Sequence, residues 1–436
     1  MKLVIFDLDG TLFKTEITLL EAIRRGADEF SLSPPNQETL LSFIGSPTED
    51  LCDQVAGALA PDDRKRFRDR LRFHERQLIP QIGELFEGVD ELLGRLTAEG
   101  FEMAICSHAS REYIEIVLSA CGIDGIFTDI VGRANGQNKQ EMVNDILGRL
   151  TPQTAVMVGD KDFDITAARV NGLPAIGVSY GYGPGELQQA DFVAHLPLDL
   201  FGLILQGHVL NLIERQIAAR RSDRAFVVGI NGIDTSGKTF FAKSLANYLR
   251  AKGYTTQLIH LDDFHNRREV RNRGTDEIEA YIRNAFDLNR LTDELLKPIV
   301  RGEAIEKELV LLDLDSDSFE RREHFSCDQE TIVIVEGVLL YREPLDVFFD
   351  YRIFLQIDFD ELLRRAEIRD VPKYGQEFLR RYHEKYIPVQ EWYINKCSPM
   401  ERSDLIIDNN DYKLPRIRQL KTNRNKMGNG YRSGGN

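Results

Sequence analysis

Two apolar runs, each closed by a short polar motif, constrain the fold of this chain more than any other feature. Leu3–Phe6 leads into Asp7-Leu8-Asp9-Gly10-Thr11, and Phe226–Ile230 leads through Asn231 into Gly232-Ile233-Asp234-Thr235-Ser236-Gly237-Lys238-Thr239. Short apolar runs of this kind read as buried strands, and in open α/β sheets chemistry collects just past the strand ends. The motifs stand about half the chain apart. At 436 residues the chain is also too long for one ordinary core, so two domains are expected.

The rest of the chain repeats strand followed by helix. Glu102–Ser107 and Ala155–Val158 read as further strands of the first half, with helical spacing clearest at Leu19–Phe30 and Asp62–Leu78. Thr256–His260, Thr331–Val335 and Tyr351–Ile357 are the strand candidates of the second half. The alternation predicts an α/β protein of two doubly wound parallel-sheet domains. No repeat at solenoid periods is present. The expected division is a first domain over 1–206, a linker helix over 207–224, a second domain over 225–410 and a basic, flexible tail over 411–436.

Composition narrows the class. With 42% hydrophobic and 29% charged residues the chain is typical of a globular protein. Its longest apolar candidate, Leu198–Ile213, is interrupted by Asp199, Gln206, His208 and Asn211, so no membrane association is expected. Only four apolar residues separate Lys2 from Asp7, too few for a signal peptide. Five cysteines without CxxC spacing fit reduced thiols, hence a cytoplasmic location. Of the net charge of −15, residues 1–206 carry −14, residues 207–410 carry −7 and residues 411–436 carry +6. The acidic first half weighs against a nucleic-acid substrate. The tail, with Arg416, Arg418, Lys421, Arg424 and Lys426 before a Gly- and Asn-rich end, reads as solvated chain.

The first motif sets two carboxylates and a hydroxyl past a buried strand. One carboxylate can attack phosphorus if a cation neutralises the phosphate oxygens, and one two residues on can protonate the leaving oxygen and then activate water. An Asp-Gly turn alone is common, but four motifs occur here in order. Asp7-Leu8-Asp9-Gly10-Thr11 is followed by Ser107 after Ala104-Ile105-Cys106, by Lys139, and by Gly159-Asp160 with Asp164. Over about residues 1–206 the sequence resembles the haloacid dehalogenase (HAD) phosphatase superfamily, in its phosphoglycolate-phosphatase-like branch. The resemblance implies a Rossmann-like domain with a helical cap at about 14–84 that closes over the site. It further implies Asp7 as nucleophile, Asp9 as acid and base, Ser107 and Lys139 as phosphate contacts, and Mg²⁺ between Asp7, the Asp9 carbonyl and Asp160. Asp164 would ligate the ion or stand just behind its ligands. Such a cap favours a small phosphorylated metabolite.

The second motif is a P-loop placed between a strand and the helical stretch Phe240–Lys252. Its glycines let backbone N–H groups wrap phosphates, Lys238 would reach the β- and γ-phosphates, and Thr239 would ligate Mg²⁺. ATP is the expected nucleotide, held over Gly232, Asp234, Thr235, Ser236, Gly237, Lys238 and Thr239. Asp262, in Asp262-Asp263-Phe264 past a strand, can take a proton from an acceptor hydroxyl. Glu336 ends the run Ile332–Val335, as an acid near the metal would. Arg365 and Arg369, four apart on a predicted helix, could bring lid cations to the transferring group. These residues resemble the uridine kinase/phosphoribulokinase-like family of P-loop kinases from about Phe226 to Asp408. The resemblance implies Asp262 as catalytic base and Arg365 and Arg369 in the lid. Uridine kinases hold the nucleoside with a Tyr-Asp-Phe…His-Ser-Arg segment. The corresponding Leu311–Phe319 keeps Asp313 but lacks the tyrosine and the histidine, so uridine does not follow as acceptor.

The expectation is therefore a bifunctional enzyme, a Mg²⁺-dependent phosphatase joined to an ATP-dependent kinase for a hydroxyl-bearing acceptor such as a nucleoside or sugar. Acting on one hydroxyl of one compound, the pair would only hydrolyse ATP, so different positions, different metabolites or opposite switching are expected. Nucleic-acid end repair joins a 3′-phosphatase to a 5′-kinase and is the alternative, with a silent regulatory half as a third reading. A homo-oligomer is compatible with the sequence.

Overall fold

Leu3, Val4, Ile5 and Phe6 are at most 1% exposed in β1 (Lys2–Phe6), which lies between two parallel neighbours. A strand covered on both faces has no polar side to present, hence the unbroken apolar run. β2 (Phe101–Ser107), β3 (Asp129–Gly132), β4 (Thr154–Gly159), β5 (Ala175–Val178) and β6 (Phe192–Ala194) complete an all-parallel sheet of order β3-β2-β1-β4-β5-β6. The order reverses beside β1, and the carboxyl ends of β1, β2 and β4 open into one crevice there.

The computed structural model describes residues 1–45, 48–133 and 137–421, in two units, Met1–Arg215 and a second beginning at Gln216. In the first unit, helices Thr15–Glu29, Gln37–Ser42, Thr48–Ala56 and Pro61–Ile82 are inserted after β1. They enclose a small core of their own, including Leu19, Ile23, Phe67 and Leu71. The insertion leaves and rejoins the sheet domain at one point, where the Lys14 N–H donates to the Glu84 carbonyl (2.9 Å).

The first unit extends past residue 206. Helix Asp199–Ala218 buries Leu200, Ile204, Val209 and Ile213. It is tied to β4, where the Ala155 N–H donates to Asn211 Oδ1 (3.3 Å). Residues 207–215, expected as linker, thus belong to the first unit because their apolar face is needed to cover its sheet.

In the second unit, β7 (Phe226–Gly232) lies in the middle of a sheet with β8 (Thr256–His260), β11 (Ile332–Gly337), β12 (Tyr351–Gln356), β13 (Leu405–Asp408) and β14 (Arg416–Leu420). The order is β14-β13-β12-β7-β11-β8, parallel except for the β13–β14 pair. β9 (Ile305–Asp313) and β10 (Ser318–Cys327) form a separate antiparallel hairpin. Residues 416–420, expected as part of a flexible tail, are instead a strand. Arg416–Leu420 is ordered by ladder bonds to β13 and by Arg418, which pairs with Asp408 (2.8 Å). The remainder of the tail, 422–436, with Arg424 and Lys426, lies outside the described residues. No described helix is long and apolar enough to cross a membrane.

Candidate active sites

Asp7 and Asp9 leave the end of β1, where Gly10 turns the chain with φ +84°. A Cβ on Gly10 would stand 2.5 Å from Asp160 Oδ2, so glycine is what lets the turn and the end of β4 meet. Asp160 follows β4, Asp164 lies in helix Asp162–Val170, and Lys139 begins helix Lys139–Leu150. Carboxylate oxygens of Asp7, Asp160 and Asp164 lie within 4.8 Å of one another, all three residues buried. Lys139 Nζ is 2.5 Å from Asp7 Oδ1 and 2.5 Å from Asp164 Oδ1.

One lysine does not balance three buried carboxylates. Burial, then the charge of Asp7, then that of Asp164 hold the Asp160 carboxyl well above the ordinary range. Burial raises Asp164 to about 7 against the pull of Lys139. Burial also opposes the charge of Lys139, but Asp164 and Asp7 outweigh it and keep the ammonium charged. Asp160 Oδ1 is buried without a hydrogen-bond partner, while Oδ2 accepts from the Tyr182 N–H (2.7 Å). Hard oxygen donors, excess negative charge and an orphaned oxygen fit a divalent cation such as Mg²⁺.

Asp9 points away from that cluster. Its Oδ1 accepts from Thr15 Oγ1 (2.7 Å) and Tyr113 OH (2.9 Å). Burial, with the charge of Asp7 second, raises it to about 6, and the two hydroxyls hold it from rising further. Ser107, at the end of β2, accepts from the Ala109 N–H (3.1 Å) and shares a cavity of about 510 Å³ with Asp7 and Asp9. The structure therefore brings Asp7, Asp9, Ser107, Lys139, Asp160 and Asp164 together. Thr15 and Tyr113 were not singled out from the sequence; Tyr113 is 104 residues from Asp9, and no local pattern marks it.

The second site is built chiefly from backbone. Gly232 closes β7, and a Cβ there would meet Ser236 Oγ at 2.5 Å and the Leu355 carbonyl at 2.6 Å. Thr235 (φ +57°) and Gly237 (φ +89°) carry the loop through left-handed conformations. The Asn409 side chain donates to the Ser236 carbonyl (2.7 Å) from the loop after β13. Lys238 opens helix Lys238–Ala251 and donates to the Ile233 carbonyl (2.8 Å), across the loop.

Thr239 Oγ1 donates to Glu336 Oε1 (2.8 Å) at the end of β11. The same oxygen accepts from His260 Nδ1 (2.6 Å), at the end of β8. Burial opposes ionisation of Glu336, but His260, Lys238 and Thr239 hold its carboxyl below the ordinary range. His260 was not singled out from the sequence. A hydroxyl and an ionised carboxylate are again oxygen donors suited to Mg²⁺.

Asp262 is exposed just past β8. Burial raises the Asp234 carboxyl; Lys238 counters this, while the negative charge of Asp262 adds to it. These three groups therefore share one electrostatic neighbourhood.

The two arginines of helix Phe359–Tyr374 divide. Arg365 pairs with Glu361 (2.5 Å) and donates to the carbonyls of Thr235 in the P-loop (3.1 Å) and of Asn409 (2.6 Å) and Asn410 (3.0 Å) after β13, so its guanidinium ties the P-loop to that neighbouring loop rather than standing free. Arg369 pairs with Asp370 (2.8 Å) and donates to Tyr382 OH (2.9 Å), its charge still acting on Asp234. Asp313, the residue retained from the nucleoside segment, is used otherwise. Its Oδ1 accepts from the Asp315 (2.9 Å) and Ser316 (3.0 Å) N–H groups and so shapes the β9–β10 turn.

Comparison with known proteins agrees with this geometry. Residues 4–178 match the model of the haloacid dehalogenase-like hydrolase family, and residues 227–413 match that of the phosphoribulokinase / uridine kinase family. The phosphoglycolate phosphatase of Mannheimia succiniciproducens is 28% identical over 197 residues, 42% of this chain and 87% of that protein. That of Escherichia coli K12 is 27% identical over 238 residues, 48% of this chain and 94% of that protein. Similar solved structures include a haloacid dehalogenase-like hydrolase from Streptococcus pneumoniae, with 24% identity, 46% of this chain and 97% of that one covered, and a TM-score of 0.42. A possible uridine kinase from Bacillus stearothermophilus shares 22% identity over 45% of this chain and 96% of its own, with a TM-score of 0.36. The chain is thus a fusion, a haloacid dehalogenase-type phosphatase followed by a P-loop kinase of the phosphoribulokinase/uridine kinase family.

Proposed function

We propose that the first domain is a Mg²⁺-dependent phosphomonoesterase acting through an aspartyl-phosphate, and that the second transfers phosphate from ATP to a hydroxyl of a nucleoside, sugar or related metabolite. The observation that carries the first reading is the buried cluster of Asp7, Asp160 and Asp164 around Lys139. In that reading Asp7 attacks phosphorus and the bond to the leaving oxygen breaks, with Asp9 donating its proton to that oxygen. Asp9 then takes a proton from water, which attacks phosphorus and frees Asp7. A carboxyl raised to about 6 is suited to both steps. Ser107 and Lys139 hold the phosphate oxygens, and the bound cation supplies further positive charge against them. Arg76 of the inserted helices pairs with Glu112 at 2.7 Å and so bridges the cap to the helix after β2.

In the second domain the loop N–H groups and Lys238 hold the triphosphate, Thr239 and Glu336 hold the cation, and Asp262 takes the acceptor proton. Arg365 and Asn409 fix the loop so that the N–H groups are already aimed. The two reactions proceed at separate sites on different positions or different metabolites. The test is to assay Asp7→Asn and Lys238→Ala separately for phosphate release and for ADP formation. Loss of both activities in either single variant would sink the independent-sites reading.

A further inference from the structure

The end of β8 lies beside the oxygen donors of the kinase site. β8 and β11 run parallel, with His260 directly opposite Glu336 in the register. Paired residues on neighbouring strands project to the same face, so the register itself sets the imidazole beside the carboxylate. A slip of one residue would send the two to opposite faces. Helix Lys238–Ala251 packs on both strands and brings Thr239 to the same carboxylate.

His260 Nδ1 stands 2.6 Å and Thr239 Oγ1 2.8 Å from Glu336 Oε1. Glu336 is held ionised and has no proton to give, so both neighbours donate to it. Nδ1 can donate from the neutral ring as well as from the charged one. The other charged groups acting on His260 are Asp263 and Lys243, and Asp263 is itself paired with Arg321 of β10 (2.5 Å).

The direction of these bonds matters for a cation. A hydroxyl that gives its proton to Glu336 keeps its oxygen lone pairs for a metal. Two donors converging on Oε1 also leave Oε2 to the cation or to a water in its shell. Thr239 is exposed, whereas His260 and Glu336 stand on paired strands, so the imidazole is the firmer of the two holds on the carboxylate. We propose that His260 is a positioning residue of the kinase site. Its Nδ1–H fixes the Glu336 carboxylate, and through it the Thr239 hydroxyl, in the orientation that takes Mg²⁺ with the nucleotide. This assignment rests on the kinase reading above. Groups that orient a metal's ligands typically change metal affinity or activity by roughly 10- to 100-fold when removed.

The test uses the full chain and a non-hydrolysable ATP analogue, adenylyl imidodiphosphate, titrated calorimetrically with Mg²⁺ and again with EDTA. The ratio of the two Kd values measures what the cation adds. His260→Ala is expected to cut that gain about tenfold and to leave the Kd in EDTA unchanged, since the loop N–H groups and Lys238 hold the phosphates without it. His260→Asn, whose side-chain amide can donate from nearly the place of Nδ1, is expected to restore most of the gain. A Kd does not depend on how much of a variant is folded, so lost stability cannot imitate this pattern. A Mg²⁺ gain unmoved in His260→Ala, a loss of equal size in EDTA, or no recovery in His260→Asn overturns the assignment, while Mg²⁺-dependent binding by the unaltered protein leaves the kinase reading intact. An unaltered protein that does not bind the analogue, or binds it no better with Mg²⁺, overturns that reading and this assignment with it.

Discussion

The two sites handle the same group by opposite means. In the first unit, charged side chains are sunk at strand ends beneath a cap, and Asp7, Asp160 and Asp164 are buried close enough together to hold a cation. In the second, the site is built on a loop of backbone N–H groups, and Thr239 and Asp262 are exposed. A buried charge cluster depends on each member's partners, because removing one leaves others uncompensated in a poorly solvated place. A backbone loop depends on what fixes its conformation, and here that is hydrogen bonds from Arg365 and Asn409 to its carbonyls. The two sites should therefore fail in different ways.

The largest expected effect is chemical. Asp7→Asn should lower phosphate release by a factor on the order of 10³ or more and leave ADP formation intact, and Lys238→Ala should do the reverse. Next is stability. Lys139→Met leaves three carboxylates without their buried ammonium and should destabilise the first unit by roughly 3–5 kcal/mol, with Mg²⁺ restoring part of the loss. Thermal melts with and without Mg²⁺ read this, and a loss of under about 1 kcal/mol would contradict the picture of a charge-dependent site.

Arg365→Ala should loosen the P-loop and the loop after β13 together, raising the KM for ATP about tenfold while the acceptor KM stays put, since the Thr235, Asn409 and Asn410 carbonyls lose a charged donor. An acceptor effect of equal size would instead place this arginine at the reacting group. The smallest effect concerns pH. Tyr113 and Thr15 hydrogen-bond the ionised form of Asp9 and hold its pKa down, so Tyr113→Phe should raise it. The step needing protonated Asp9 then persists to higher pH, and the alkaline limb of phosphatase kcat/KM should move up from about 6. A downward shift would remove Asp9 from the acid role.

How much of each site could be read in advance follows from the same contrast. Gly232–Thr239 is one continuous segment whose spacing is itself the structure, so the P-loop was legible residue by residue. Asp7 and Asp9 were legible for the same reason. Lys139, Asp160 and Asp164 came through a resemblance, because 132 residues separate Lys139 from Asp7. Thr15, Tyr113 and His260 were missed, since each gains its role from a partner that only the fold supplies. Arg365 was identified from its helical spacing, but helical periodicity gives a face and not what the face meets. The β9–β10 hairpin was missed as well. β10 is largely exposed and shows little apolar pattern, while β9 buries Ile305, Leu309, Leu311 and Leu312 and finds its pairing only with that exposed strand.

By itself the sequence determined the two parallel sheets and the ends of β1 and β7 where chemistry occurs. Unbroken apolar runs have to be buried on both faces, and the polar motif that follows has to emerge at the strand end. Only the tertiary structure decided that residues 207–215 cover the first sheet, that Arg416–Leu420 is a strand, and that Arg365 braces a loop. Those outcomes depend on which surfaces and partners are left once the sheets have formed, and residues distant in sequence settle them jointly.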